Sequence, residues 1–188
     1  MAQEQQSPAR TMSAPARGRP GSERAVEIWE EISRLDLRDN IAELEAKGLT
    51  VVPPEKVGPP EFAGRLRDAI LRIAEDRSGE ALDLTGASES GSSVFGQAFG
   101  LQMFYLLFED PVFPEAVLNP TGLALATYLL GESCVLSNCL AGLKGPGGTE
   151  LALHCDNVMI PPPFPAYAQV CNVTWALSCF HGTRSRAT

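Results

Sequence analysis

The stretch LALHCDN, at residues 151–157, decides how this chain is interpreted. Side chains alternate between the two faces of an extended strand, so His154 and Asp156 point the same way and Cys155 points opposite. An imidazole and a carboxylate on one face are two of the three ligands in the 2-His-1-carboxylate triad that holds a non-haem Fe(II). The pattern therefore predicts a strand that carries two metal ligands, His154 and Asp156.

The surroundings of this pair support a metal site over a chance His-x-Asp occurrence. A glycine-rich turn at residues 145–148 precedes the strand, and a proline-rich segment at residues 161–165 follows it. Alternating or apolar stretches at residues 134–143 and 169–177 predict neighbouring strands. Burial of Asp156 in such a layer is costly unless a metal or a hydrogen-bond donor compensates its charge.

The first two thirds of the chain carry helical signals. Apolar residues at three- and four-residue spacing predict a helix from Ser22 to about residue 35, a short one from Asp39 or Asn40 that closes at Gly48, and one over residues 60–76. Another spans residues 120–130, before Gly131. Residues 49–52 predict a short strand, and residues 78–93 a loop. Helices followed by strands indicate an α+β fold, with a helical layer packed on a sheet or barrel.

The strand motif and its flanks resemble the phytanoyl-CoA dioxygenase family. The resemblance rests on residues 153–157, on NVTWAL at residues 172–177, and on upstream stretches such as FEDPVF at residues 108–113 and LLG at residues 129–131. It covers residues 25 to 180. It implies a double-stranded β-helix, or jelly roll, and Fe(II)- and 2-oxoglutarate-dependent hydroxylation of a small-molecule substrate. No catalytic residue beyond the metal ligands is implied.

The resemblance also implies a binding site for 2-oxoglutarate. Trp175 matches a tryptophan that lines the co-substrate pocket in this family, although a core aromatic on an apolar strand is the alternative. Asn138, one strand before the metal ligands, matches a position where some relatives place a polar side chain against 2-oxoglutarate, and a simple strand-end hydrogen bond is the alternative. Asn157 and Gln102 are weaker candidates. Lys144 beside the glycine-rich segment indicates a plain turn, because no Gly-Lys-Ser/Thr sequence follows.

The chain departs from the family pattern after Trp175. Family members continue to a Pro-Gly-Ser-His turn with the last iron ligand and then to an arginine that binds the 2-oxoglutarate carboxylate. Here residues 181–188 read HGTRSRAT. His181 comes too early to match that histidine, and Arg184 and Arg186 lack a strand to hold them. A frame change or truncation accounts for this tail. We therefore expect residues 23–180 to form an incomplete domain that lacks the C-terminal strands of the jelly roll.

Three functional hypotheses remain open at this point. The first is a dioxygenase with Fe(II) at His154 and Asp156. The second is a catalytically inactive, truncated remnant or degenerate binding module. The third is an unrelated cupin-like isomerase or binding protein, which would bind a metal without using 2-oxoglutarate.

Composition bounds the remaining expectations. The 188 residues include 44% hydrophobic residues and a net charge of -8, which favours a folded protein and argues against a nucleic-acid surface. Five cysteines without a Cys-x-x-Cys pair, most of them in apolar stretches, predict reduced thiols that act as small hydrophobic residues, and a cytoplasmic location. No apolar run reaches the length of a membrane span. Residues 1–22, rich in Gln, Ser, Pro and Arg, predict a disordered tail. The oligomeric state has no signal in the sequence.

Overall fold

The structure, a computed structural model, describes residues 21–79, 82, 98–145, 149–156 and 160–178. Most of the predicted N-terminal tail lies outside these ranges, as does most of the predicted loop over residues 78–93. Asn157 and the C-terminal residues from 179 onward, with His181, Arg184 and Arg186, also lie outside them. The hypotheses on those residues stay predictions.

Helices dominate the described part of the chain. They are α1 (Gly21–Arg34), α2 (Arg38–Lys47), α3 (Pro60–Ser78), α4 (Val112–Val117) and α5 (Pro120–Leu130). Short 3-10 turns occur at Pro54–Lys56 and Leu106–Phe108. The four helices predicted from apolar spacing are confirmed, whereas α4 was not foreseen.

The helix ends follow from local residue chemistry. Pro60 and Pro120 occupy the first turns of α3 and α5, where a missing N–H costs nothing. Gly48 and Gly79 end α2 and α3 at φ values of 74° and 73°, the left-handed region that glycine adopts without steric cost. The predicted closure of the second helix at Gly48 is therefore confirmed.

Two hydrophobic clusters hold these elements together. One joins α1, α2 and α5 through the buried residues Ile32, Leu37, Ile41, Ala124 and Leu125. The other joins the inner face of α3 to α4 and to the segment before it, through Phe62, Leu66, Ala69, Ile70, Ile73, Ala74, Met103, Leu106, Val112, Phe113 and Ala116. Side chains from residues 101, 139–143 and 175–177 also pack against this second cluster. We call residues 101–103, 134–143 and 169–177 together the β-rich layer.

The sheet of the described residues has two short antiparallel strands. β1 (Leu101–Met103) pairs with β2 (Ala141–Leu143) so that Leu101 lies opposite Leu143. The side chains of Cys139, Ala141 and Leu143 pack against the α3 cluster. The residues that alternate with them, Asn138, Leu140 and Gly142, are exposed. This alternation places one face of the layer on the helices. The predicted α+β class is confirmed at this level.

Three predicted strands do not form as hydrogen-bonded strands. Residues 49–52, the described part of 150–157, and 169–177 pair with no other strand among the described residues. At residues 49–52 the reason is visible, because Thr50 is held by side chains of α2 instead: it accepts a hydrogen bond from Asn40 and donates one to Glu43. A strand needs a partner, and alternation of side chains alone does not supply one.

None of the helices in the described ranges has both the length and the apolar character that crossing a membrane requires.

Candidate metal site

The structure brings the two predicted metal ligands together. His154 Nε2 lies 3.4 Å from Asp156 Oδ1, and both side chains are about half exposed. The expectation that the two side chains share one face of the segment agrees with this distance, although residues 149–156 form no hydrogen-bonded strand. The intervening Cys155 is exposed as well.

A backbone hydrogen bond orients the imidazole of His154. Nδ1 lies 2.9 Å from the carbonyl oxygen of Ala152. A carbonyl oxygen can only accept, so Nδ1 must carry the hydrogen and donate. In the neutral ring the lone pair is then on Nε2, the atom that faces Asp156. Metal-binding histidines are held in this way, with one ring nitrogen donating to a protein acceptor and the other free for the ion.

A side chain sixteen residues further along orients the carboxylate of Asp156. Asn172 Nδ2 donates to Asp156 Oδ2 over 2.5 Å. This bond occupies one oxygen of the carboxylate and leaves Oδ1 facing His154. Sequence reasoning assigned Asn172 no role at the site, although it lies in the NVTWAL stretch at residues 172–177. No local pattern signals a contact between residues so far apart.

A positive charge between His154 Nε2 and Asp156 Oδ1 would stabilise their arrangement. A carboxylate oxygen and a neutral imidazole lone pair are both acceptors, so their approach to 3.4 Å is unfavourable unless positive charge intervenes. A proton on Nε2 would make an ordinary exposed ion pair. A divalent ion fits also. Two ligand atoms, each bonded to the same ion over about 2.1 Å, are roughly 3 Å apart when the ligand–ion–ligand angle is a right angle, and slightly further apart when that angle is wider. The donor set suits imidazole- and carboxylate-binding metals such as Fe(II).

The described residues supply two ligands and no more. No group of three or more His, Cys, Asp or Glu side chains within the described ranges is placed to hold a metal. The predicted facial triad is therefore represented here by His154 and Asp156 alone, and His181 is outside the described residues.

Trp175 lies on the helical side of the β-rich layer. Its ring meets that of Phe62 in α3 edge to face, with 5.0 Å between the centroids, and Leu177 packs on the same cluster. In an extended segment Asn172, three residues before Trp175, points to the opposite face. These contacts favour the core interpretation of Trp175, and its role toward 2-oxoglutarate stays a prediction.

Asn138 is exposed, on the side of the layer turned away from α3. Cys139, its neighbour, packs against the α3 cluster, so alternation directs Asn138 outward. No hydrogen bond joins the Asn138 side chain to another residue of the described ranges. The alternative of a strand-end hydrogen bond thus finds no support there, and the predicted contact with 2-oxoglutarate remains untested. Gln102 donates to the carbonyl of Phe99 over 2.6 Å, a local contact beside β1.

The outward face of the β-rich layer is apolar. Beside Asn138 and Asn172, at positions of the same alternation, it presents the exposed hydrophobic side chains of Leu136, Leu140 and Val170. A patch of this kind is unusual on a finished monomer surface and typically marks a surface that contacts something else.

The burial of two cysteines agrees with the expected structural thiols. Burial raises the pKa of Cys139 and also that of Cys171, to which the nearby Cys134 adds a further upward contribution. Cys134, Cys139, Cys155 and Cys171 are all free thiols. Cys134 and Cys155 are exposed, so the predicted role as small hydrophobic residues in an apolar environment does not fit these two.

Comparison with known proteins relates the chain to a dioxygenase. The chain is 33% identical over 145 residues, 77% of its length, to dioxygenase af480 of Aspergillus fumigatus. Those residues amount to 44% of that protein, so the chain spans less than half the length of the curated relative. No protein-family model matches the chain. No solved structure matches it either.

Proposed function

We propose that this chain belongs to the Fe(II)- and 2-oxoglutarate-dependent dioxygenases of the phytanoyl-CoA dioxygenase type, with His154 and Asp156 as its metal ligands. The observation that carries the proposal is the orientation of the two side chains. Each ligand has its outer atom occupied by a protein partner, the Ala152 carbonyl for His154 and Asn172 for Asp156. The remaining donor atoms face each other. The similarity to a protein named as a dioxygenase supports the same reaction class.

The proposed fold is a partial double-stranded β-helix that carries the helices on one face. In support, alternate side chains of residues 139–143 and of residues 175–177 pack on α3. The opposite, apolar face would then be the interior of the barrel. Residues 23–180 are the proposed extent of this domain, with residues 1–22 and 181–188 as its flanks.

The proposed chemistry is hydroxylation of a C–H bond in a small organic substrate. Fe(II), when bound, supplies the centre at which O₂ and 2-oxoglutarate react. The chain contributes a neutral Nε2 lone pair from His154 and a single carboxylate oxygen from Asp156, both held in place before the ion arrives. In this proposal Asn138 contacts 2-oxoglutarate from the outward face, whereas Trp175 supports the layer from the opposite face by packing on Phe62.

A catalytically inactive polypeptide is the second candidate. Two observations favour it. The described residues bring together two metal ligands, whereas the facial triad needs three, and Trp175 packs on Phe62. Such a protein would bind a divalent ion weakly and would not consume 2-oxoglutarate. A cupin-like protein would bind the ion and likewise leave 2-oxoglutarate untouched.

Metal titration of the purified full chain tests the proposal. We expect Fe(II), added without oxygen, to bind with 1:1 stoichiometry, and His154→Ala or Asp156→Ala to abolish that binding. Cys155→Ser is the matched control, because Cys155 lies between the ligands and points away from the predicted site. Equal Fe(II) binding by all four proteins, each shown to be folded by circular dichroism, would refute the site.

Conversion of 2-oxoglutarate to succinate separates the candidates. A dioxygenase converts it when Fe(II) and O₂ are supplied, and the conversion stops in His154→Ala. An inactive protein or a cupin-like one produces no succinate, whatever its metal affinity.

A further inference from the structure

We infer that Asn172 is a positioning residue for Asp156: its amide holds the carboxylate so that one oxygen is presented to the ion. This inference deepens the proposed metal site and rests on it. The carrying observation is the bond from Asn172 Nδ2 to Asp156 Oδ2.

Free rotation of an exposed aspartate would otherwise scatter its two oxygens. Asp156 is half exposed, and the hydrogen bond from Asn172 is its one polar side-chain contact apart from the facing His154 among the described residues. A hydrogen bond to an ionised carboxylate is among the stronger kinds. It therefore selects the rotamer in which Oδ1 faces Nε2, and it lowers the entropy lost when an ion binds.

Asn172 is itself well anchored for this task. Trp175 and Leu177, a few residues on, pack on the α3 cluster, and Val173 lies against Gly122 at the start of α5. The segment is thus attached to two helices, whereas the ligand-bearing residues 151–156 are exposed throughout. The hydrogen bond therefore restricts Asp156, in the exposed segment, by attaching it to Asn172 in the packed one.

The asparagine also determines how many oxygens Asp156 can offer. With Oδ2 engaged by the amide, the carboxylate presents Oδ1 to the ion, and a second bond to the ion through Oδ2 competes with the amide. Loss of the amide frees Oδ2, and a bidentate carboxylate becomes accessible. This consequence distinguishes positioning of the ligand from a general contribution to stability.

Co(II) is a suitable probe because its visible absorption reports on its coordination number. We expect Asn172→Ala to bind Co(II) about 10-fold or more weakly, the effect usual for loss of a partner that orients a metal ligand. We also expect its visible band to weaken as the coordination number rises. Asn172→Gln restores an amide donor at an exposed position and should recover most of the affinity. Thr174→Ala, on the same exposed face, is the matched control and should bind as the unaltered chain does.

The outcomes separate this inference from the proposed function. If the unaltered chain binds Co(II) no better than His154→Ala, the metal site itself fails, and positioning fails with it. If the chain binds Co(II) and folded Asn172→Ala binds it equally well with an unchanged spectrum, the site stands and the positioning role is overturned. In that case a lower melting temperature of Asn172→Ala would identify the bond as a structural link alone.

Discussion

The ring of Trp175 meets the ring of Phe62 edge to face, with centroids 5.0 Å apart and planes inclined by 61°. Phe62 is only 4% exposed and stands at the centre of the α3 cluster, whereas Trp175 is partly exposed. Through this pair, residues near the C-terminal end of the described chain are attached to a helix more than a hundred residues earlier. The contact stabilises the layer from which Asn172 reaches Asp156.

Truncation of this pair should reveal a coupling between the two rings. We expect Phe62→Ala to lower the free energy of unfolding by about 3–4 kcal/mol and Trp175→Ala by about 2 kcal/mol, since Trp175 is incompletely buried. The double variant should lose about 1 kcal/mol less than the sum, the usual value for an aromatic pair. Urea unfolding of the four proteins measures all three quantities. Strict additivity would show that the rings do not meet in the folded protein.

Gly100 should tolerate no side chain. It precedes β1 at a φ of 62°, and an added Cβ would overlap the carbonyl oxygen of Leu143 in β2. Gly100→Ala therefore combines left-handed strain with a backbone clash, and we expect a loss of about 3 kcal/mol or more. Gly79→Ala is the control, because Gly79 has a φ of 73° with no atom near the added Cβ. It should cost about 1 kcal/mol in the same urea unfolding experiment. Equal costs would mean that β1 and β2 do not approach as described.

The helices were predictable because their signals are local. Pro60 and Pro120 at the starts, and Gly48 and Gly131 at the ends, act on the residues beside them. Apolar spacing then placed Phe62 and Leu66 correctly on the buried face of α3. The brief helix α4 was not predictable, because its six residues are too few to show a helical period.

The strands were less predictable because pairing depends on distant residues. Alternation predicted a strand over residues 134–143, yet only residues 141–143 of that stretch pair with another strand among the described residues. At the candidate site, His-x-Asp spacing was enough to bring His154 and Asp156 into one place. The hydrogen bond from Asn172 could not be read from the sequence, because nothing near residue 172 specifies which side chain it will meet.

The free energy of unfolding should depend on pH through Glu43. Its carboxylate accepts hydrogen bonds from Lys47 and Thr50, each over 2.7 Å. These two partners, with Lys47 the larger influence, lower the pKa of Glu43 below its ordinary value of 4.5. The folded state thus holds the charged form more strongly than the unfolded state does. The stabilisation is fully present above the ordinary pKa and is lost as the pH falls through the lower, folded-state pKa.

Glu43→Gln removes this contribution and so provides the test. In urea unfolding, the difference in stability between the unaltered chain and Glu43→Gln should be largest near neutral pH and shrink as the pH is lowered below 4.5. Glu30→Gln in α1 is the control, since Glu30 is exposed and its side chain makes no hydrogen bond or ion pair with another described residue. A difference that stays constant with pH would contradict the lowered pKa of Glu43.

Asn119 should contribute to stability in two separable ways. Its Oδ1 accepts hydrogen bonds from the backbone N–H groups of Thr121 and Gly122 and so caps α5, while Nδ2 donates to the carbonyl oxygen of Val57 over 2.7 Å. Asn119→Ala loses the cap, worth about 1 kcal/mol, and leaves the Val57 carbonyl without its donor, which costs a further 1–2 kcal/mol or so. Asn119→Asp keeps the capping oxygen but cannot donate to Val57, so we expect an intermediate loss in thermal or urea unfolding. If Asn119→Asp were as damaging as Asn119→Ala, the cap would contribute nothing. If Asn119→Asp were as stable as the unaltered chain, the hydrogen bond from Asn119 to Val57 would contribute nothing to stability.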